Sequence, residues 1–278
     1  AWPRSEAMPE GPEIRRAADR LAAVVAGQAL THAFFAFPEL KPFEAGLVGR
    51  RVESVTPRGK ALLTRFDHGW TLYSHNQLYG VWRIVAPGAE PLPTTRSLRV
   101  ALHTARGAIL LYSASDVSMW RSDEVESHPF LQGLGPDVLD PALDAATVAG
   151  RLQSPAFRGR ALGGLLLDQG FLAGMGNYLR AEVLFASGLR PERRPRELDP
   201  AATARLAGAL LDVPRLSYRT RGIAPADRMR EDYLTDTPDA FRFQVFGRDG
   251  QPCPACGTPI ERTSVASRRL YLCPACQS

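Results

Sequence analysis

Apolar positions first recur with a helical period near the start of the chain. From Pro12, Ile14, Ala17/Ala18, Leu21 and Val24/Val25 fall three or four residues apart, and Gly27 ends the run, so one apolar-faced helix is expected there. Between about 47 and 115 the period shortens to two. Leu98, Val100 and Leu102 alternate with Arg99, Ala101 and His103, and further runs at 61–66, 71–74, 81–85 and 109–112 are separated by glycines and prolines. Short strands at close spacing predict an antiparallel sandwich or barrel. After Gly135-Pro136-Asp137 the pattern returns to helical from about 145 to 217, interrupted by Gly174-Met175-Gly176-Asn177-Tyr178. That arrangement predicts a helix, a tight glycine turn and a second helix, with Asn177 at the N-cap and backbone N–H groups open to phosphate; a capped helical hairpin gives the same pattern. Residues 224–240 are polar, acidic and proline-bearing, and read as a loop or mobile linker. The fold class is therefore α+β and multidomain.

Composition alters this picture in two places. The chain has 278 residues, and no stretch approaches the apolar length of a membrane span or a secretory signal, so a cytoplasmic protein without membrane contact is expected. Its net charge of +5 is uneven, with residues 1–150 near −1 and 151–278 near +6. A basic C-terminal half suits a polyanion, although a solvated basic surface reads the same way. Only Lys41 and Lys60 among 34 basic residues are lysine. Lys60 lies in the turn Arg58-Gly59-Lys60 that opens a strand, where a kept lysine points to a need for a compact ammonium, although an ordinary exposed turn lysine reads the same way.

Three local patterns carry chemistry. Cys253-Pro-Ala-Cys256 and Cys273-Pro-Ala-Cys276 use all four cysteines, at the spacing of a tetrahedral four-thiolate zinc ribbon. Four thiolates leave no open position, so the Zn2+ would be structural. The Ser264–Leu270 stretch between them reads as a hairpin presenting Arg268 and Arg269. The loop at 74–80 bears Gln77, Leu78 and Tyr79, a set able to wedge into a base stack or, equally, to pack inward as an ordinary hairpin. Finally, Met8-Pro9-Glu10-Gly11-Pro12-Glu13 puts two carboxylates just after a proline. If Met8 starts the working chain and is removed, Pro9 carries a secondary amine that can form an iminium with an aldehyde. Favourable placement of Glu10 and Glu13 at a helix N-terminus accounts for them as well.

Together these ordered motifs resemble the formamidopyrimidine-DNA glycosylase/endonuclease VIII family. The runs Tyr73–Trp82 and Leu111–Asp116 and the triplet Gln77-Leu78-Tyr79 are most similar to its bacterial endonuclease VIII branch. The resemblance implies an extension or cloning remnant at 1–7, a catalytic β-sandwich at 8–135 and a helix–two-turns–helix domain at 136–223. A linker at 224–240 and a zinc finger at 241–278 complete the chain. It implies a monomer acting on double-stranded DNA with damaged bases or abasic sites, the duplex crossing the cleft between the large domains. Pro9 would be the nucleophile, Glu10 the acid/base and Lys60 a phosphate contact and proton carrier. Glu13 would position the site, Asn177 and Arg268 would grip phosphates, and Arg268 would assist elimination. The implied activity is removal of oxidised pyrimidines and strand cleavage by β,δ-elimination. The same chemistry on oxidised purines, or damaged-DNA binding without catalysis, are the competing readings. Family members of the endonuclease VIII kind tend to carry an arginine after Phe-Leu-Gln, where this chain has Gly133 after Phe130-Leu131-Gln132.

Overall fold

The computed structural model describes residues 9–226, 229 and 231–278; residues 1–8, with the expected extension and Met8, lie outside it, as do 227, 228 and 230 of the expected linker. The chain divides into two compact units, Ile14–Gln132 and a second made of the residues up to Glu13 together with Gly133–Ser278. The boundary falls inside the first helix. Pro9 to Glu13 thus count with the helical unit, although the motif reading groups them with the sandwich.

In the first unit, α1 (Gly11–Val25) supplies Ile14, Ala18, Leu21 and Val25 to the core. Two antiparallel four-stranded sheets follow. One has the order β1 (Leu30–Phe35), β6 (Leu98–Thr104), β7 (Gly107–Tyr112), β5 (Val81–Val85). The other has the order β2 (Val52–Arg58), β3 (Ala61–Phe66), β4 (Trp70–His75), β8 (Asp116–Arg121). Short helices α2 (Phe43–Leu47) and α3 (Pro129–Gln132) flank them. The alternation expected over 98–103 is only partly present, because Ala101 is buried as well as Val100 and Leu102. Ala101 joins Ala108, Leu110 and Tyr112 in a small second cluster on the opposite face, covered by Phe34 and Val85. A sheet covered on both faces loses the period-two signal.

The second unit packs α4 (Ala145–Gln153), α5 (Leu162–Leu165), α6 (Asn177–Ser187) and α7 (Pro200–Arg219) around one apolar core. Asp144 and Asp199 cap α4 and α7 by accepting from Thr147 and Ala202 backbone N–H groups at 2.8 and 2.7 Å. The hairpin β9 (Glu261–Val265) and β10 (Arg268–Leu272) contributes Leu270 and Tyr271 to the same core.

The described part of 224–240 is not a free tether. Ile223 pairs with both Leu234 and Phe241, Ala224 N–H donates to the Phe241 carbonyl at 2.9 Å, and Met229 is buried. Scattered apolar anchors within a polar composition override the linker signal. No described helix is long and apolar enough to cross a membrane.

Candidate active-site residues and DNA interface

The carboxylate pair belongs to the helical unit, and the glycine turn explains how it is held. Glu10 and Glu13 are each 2% exposed. Tyr178 N–H donates to Glu10 Oε1 at 2.8 Å and Leu179 N–H to Glu10 Oε2 at 3.2 Å, so Glu10 occupies the N-terminus of α6. There the helix dipole favours negative charge. Glu13 Oε2 accepts from Glu10's own N–H at 2.9 Å, while Oε1 accepts from the Tyr178 hydroxyl at 3.0 Å; that hydroxyl also meets Ser217 Oγ of α7 at 3.0 Å. One residue, Tyr178, therefore holds both carboxylates, Glu10 through its backbone and Glu13 through its phenol.

Glycine is required at this approach. Gly11 N–H donates to the Gly174 carbonyl at 2.8 Å, and a Cβ on Gly11 would sit 3.1 Å from Gly174's backbone. Gly174 has φ +92°, and a Cβ on Gly176 would collide with the Glu10 carboxyl. Gln169 braces the turn, its amide donating to the Met175 carbonyl at 2.8 Å and accepting from Gly174 N–H at 3.1 Å.

Two expectations about this turn are corrected. The N-cap is Gly176, and Asn177 is the first helical residue. Two of the N–H groups expected to meet phosphate, those of Tyr178 and Leu179, donate to Glu10 instead, because the incoming carboxylate fits the space the glycines clear. The Asn177 side chain instead donates to the Arg269 carbonyl at 3.0 Å and accepts from Arg180 at 2.7 Å. Arg180, fully buried, also donates to the carbonyls of Gly163 and Val265 at 2.8 and 3.1 Å. Burial and then the charge of Arg268 pull its pKa down to about 10, against the pull of Glu10. Sequence reading missed this residue, which sits in an apolar helix and reaches the Val265 and Arg269 carbonyls 85 and 89 residues away.

Glu182 was missed for the same reason. It is 3% exposed and accepts from the N–H groups of Gln244, Val245 and Phe246 at 2.9, 3.1 and 2.9 Å. Burial raises its pKa, and those three bonds oppose the rise. The bonds set Phe243 and Phe246 against Tyr178, and Phe246 against Tyr271 of the hairpin.

Arg268 is exposed at the start of β10, directly after a two-residue turn in which Ala266 and Ser267 have φ +53° and +59°. Two non-glycine residues in the left-handed region make this tip strained. Below it, the Sγ atoms of Cys253, Cys256, Cys273 and Cys276 all lie within 4.8 Å of one another, with closest pairs at 3.5 and 3.9 Å. Tetrahedral zinc–thiolate bonds of about 2.3 Å place their sulfurs about 3.8 Å apart. The four thiolates fit one structural Zn2+.

In the other unit, Gly59 (φ +61°) and Lys60 form the two-residue turn between β2 and β3, and Ala61 pairs with His75 on β4. His75 is pulled below its ordinary pKa by burial; Asp116 opposes this, and the charges of Lys60 and His128 add to it. The loop that follows leaves Gln77 and Tyr79 exposed and Leu78 half-buried, so the inward-packed alternative does not describe its tip.

The chain divides as a DNA glycosylase of this architecture does, into matches for the formamidopyrimidine-DNA glycosylase N-terminal domain (residues 8–115), its H2TH domain (134–224) and the zinc finger found in FPG and IleRS (250–278). It is 56% identical over 270 residues to an Endonuclease 8 of Escherichia coli, covering 97% of this chain and 100% of that one. Its identity to those of Shigella sonnei and Klebsiella pneumoniae is 55% at the same coverage. Among solved structures, Lactococcus lactis Fpg with abasic-site DNA superposes with a TM-score of 0.80 at 21% identity, over 97% of this chain and 99% of that one. MutM with DNA containing carbocyclic 8-oxo-G gives 0.79 at 20%, over 97% and 100%. The chain belongs to the formamidopyrimidine-DNA glycosylase/endonuclease VIII family.

Proposed function

We propose that this protein is a bifunctional DNA glycosylase/AP lyase of base excision repair that removes oxidised pyrimidines. The observation that carries the class is full-length identity of 56% to an Endonuclease 8. The pyrimidine preference is supported by the Gln77-Leu78-Tyr79 loop, which the resemblance ties to that branch.

The chemistry falls to residues with distinct duties. Pro9, as a free secondary amine, attacks C1′ of the damaged nucleotide and the base departs. The match to the glycosylase domain begins at residue 8, which agrees with Met8 preceding the working N-terminus. Glu10 exchanges protons as the sugar ring opens, and its negative charge, steadied at the start of α6, favours the iminium that forms on its neighbour Pro9. Glu13 fixes the Glu10 backbone. The iminium acidifies C2′, loss of that proton expels the 3′ phosphate, and a second elimination frees the 5′ side. Lys60 holds phosphate and carries protons, Arg268 holds phosphate and assists elimination, and Asn177 keeps one further hydrogen-bonding position at each end of its amide. Gln77, Leu78 and Tyr79 fill the space left by the extruded nucleotide. Zinc supplies stability to the hairpin and takes no part in the chemistry. Repair of chromosomal DNA would place the protein in the bacterial cytoplasm.

Borohydride trapping on abasic DNA tests the nucleophile. A covalent adduct is expected when Pro9 is the first residue and none when residues 1–8 remain; an adduct with the longer chain would remove Pro9 from the role. A lesion panel tests the preference, and faster release of 8-oxoguanine than of thymine glycol would overturn it.

A further inference from the structure

We infer that Arg96 and Ser115 are positioning residues that hold the Gln77–Tyr79 loop in its inserting shape before DNA arrives; the inference rests on the wedge reading of that loop. Three separate contacts fasten a loop whose tip is otherwise solvent-facing. Arg96, from the segment preceding β6, donates from Nη1 to the Tyr79 carbonyl at 2.9 Å. Ser115, just before β8, donates to Gln77 Oε1 at 2.7 Å. His75 Nδ1 accepts from the Gln77 N–H at 2.9 Å. The base of the loop is closed by the Gly80 N–H on the Asn76 carbonyl at 2.7 Å, an approach that a Cβ at residue 80 would block at 2.5 Å.

The conformation so held is not one the loop would choose. Gln77 has φ +50°, which a non-glycine residue adopts at a cost, and Tyr79 is 63% exposed. A flexible loop would lose backbone freedom on entering the base stack, in addition to the free energy of unstacking. Fixing it beforehand removes that loss from the binding step. The two clamps divide the work. Arg96 grips the main chain at Tyr79, and its charged donor makes the bond stronger than a neutral one. Ser115 grips the side chain of Gln77 and, by occupying its carbonyl oxygen, leaves the amide N–H pair to face whatever the loop meets. Arg96 therefore governs insertion, and Ser115 governs which opposite base is tolerated.

The test compares the same lesion in a fully paired duplex and in a short unpaired bubble, where unstacking has already happened. Arg96→Ala is expected to lower kcat/KM on the duplex roughly tenfold, chiefly through KM, while bubble cleavage stays within about twofold. Arg96→Lys should restore part of the duplex rate. Ser115→Ala should change the ranking of opposite bases more than the mean rate. Equal slowing of Arg96→Ala on duplex and bubble, or no slowing on either, would overturn the proposal. Leu78→Ala separates this from the underlying reading: it should slow the duplex alone, and Arg96→Ala should add little in that background. If Leu78→Ala spares the duplex, the wedge reading fails first. If Leu78→Ala discriminates and Arg96→Ala does not, only the clamp fails.

Discussion

The Glu10–Glu13 pair and the exposed tips of the molecule are held by opposite means. Each carboxylate is 2% exposed, and their donors on α6 lie 165 to 169 residues away in sequence. The Gln77–Tyr79 loop and the Ala266-Ser267 turn are solvent-facing and stand in strained backbone, the loop steadied by a few side-chain bonds. The difference follows from the duties proposed for them. Groups that move protons work best in a desolvated setting with fixed dipoles, where reorganisation costs nothing at the moment of reaction. Groups that enter DNA must stay exposed and can be ordered only from their edges.

That contrast can be broken most severely at Glu10. Glu10→Gln keeps the size of the side chain but turns an NH2 toward a backbone donor and removes the titrating group. Abasic-strand cleavage is expected to fall about 10²- to 10⁴-fold, read by single-turnover kinetics. Loss within threefold would show that the carboxylate is only a helix cap. The next effect belongs to the metal. Chelation or Cys273→Ser should release the hairpin and abolish tight DNA binding, with unfolding temperature dropping by many degrees, since structural zinc contributes on the order of 10 kcal/mol in small fingers. Retained affinity after verified zinc loss would show that the hairpin stands on its own.

Glu182 sharpens the buried side of the comparison. Burial raises its pKa, so the folded protein binds that proton more tightly than the unfolded chain does. Stability should therefore fall as pH rises from the ordinary glutamate range through the raised value, and Glu182→Gln should flatten that part of the stability–pH curve. An unchanged slope would remove Glu182 as its source. The smallest effect lies at the hairpin tip. Replacing Ala266 with Asn and Ser267 with Gly suits a turn with two positive φ values and should add about 1 kcal/mol, read by denaturant midpoint. A lower midpoint would mean the tip is not strained.

Legibility in the sequence follows the range of the interactions. The α1 face, the Gly59-Lys60 turn and the paired cysteine knuckles are local patterns, and the structure forms a helix, a turn and a four-thiol cluster there. The roles of Arg180 and Glu182 are not legible there. Each is set by backbone groups brought up by folding, and a polar residue in an apolar helix looks the same whether its partner is water or a distant carbonyl. Asn177 lies one residue inside the helix its capping preference suggests, because Glu10, which no local pattern announces, takes the same helix end. Over 224–240 the average composition hides the few apolar anchors among the described residues, such as Met229, that decide where the segment lies.

Gly176 has a consequence for how this chain can vary. Since any larger residue there must evict the Glu10 carboxyl, positions 176 and 10 are not free to drift independently. A substitution at 176 has no silent neighbour to pass through: the first added carbon displaces a group that two backbone donors already fix. Libraries built on this scaffold should therefore return hydrogen at position 176 almost without exception, while the surrounding apolar positions exchange among residues of similar volume.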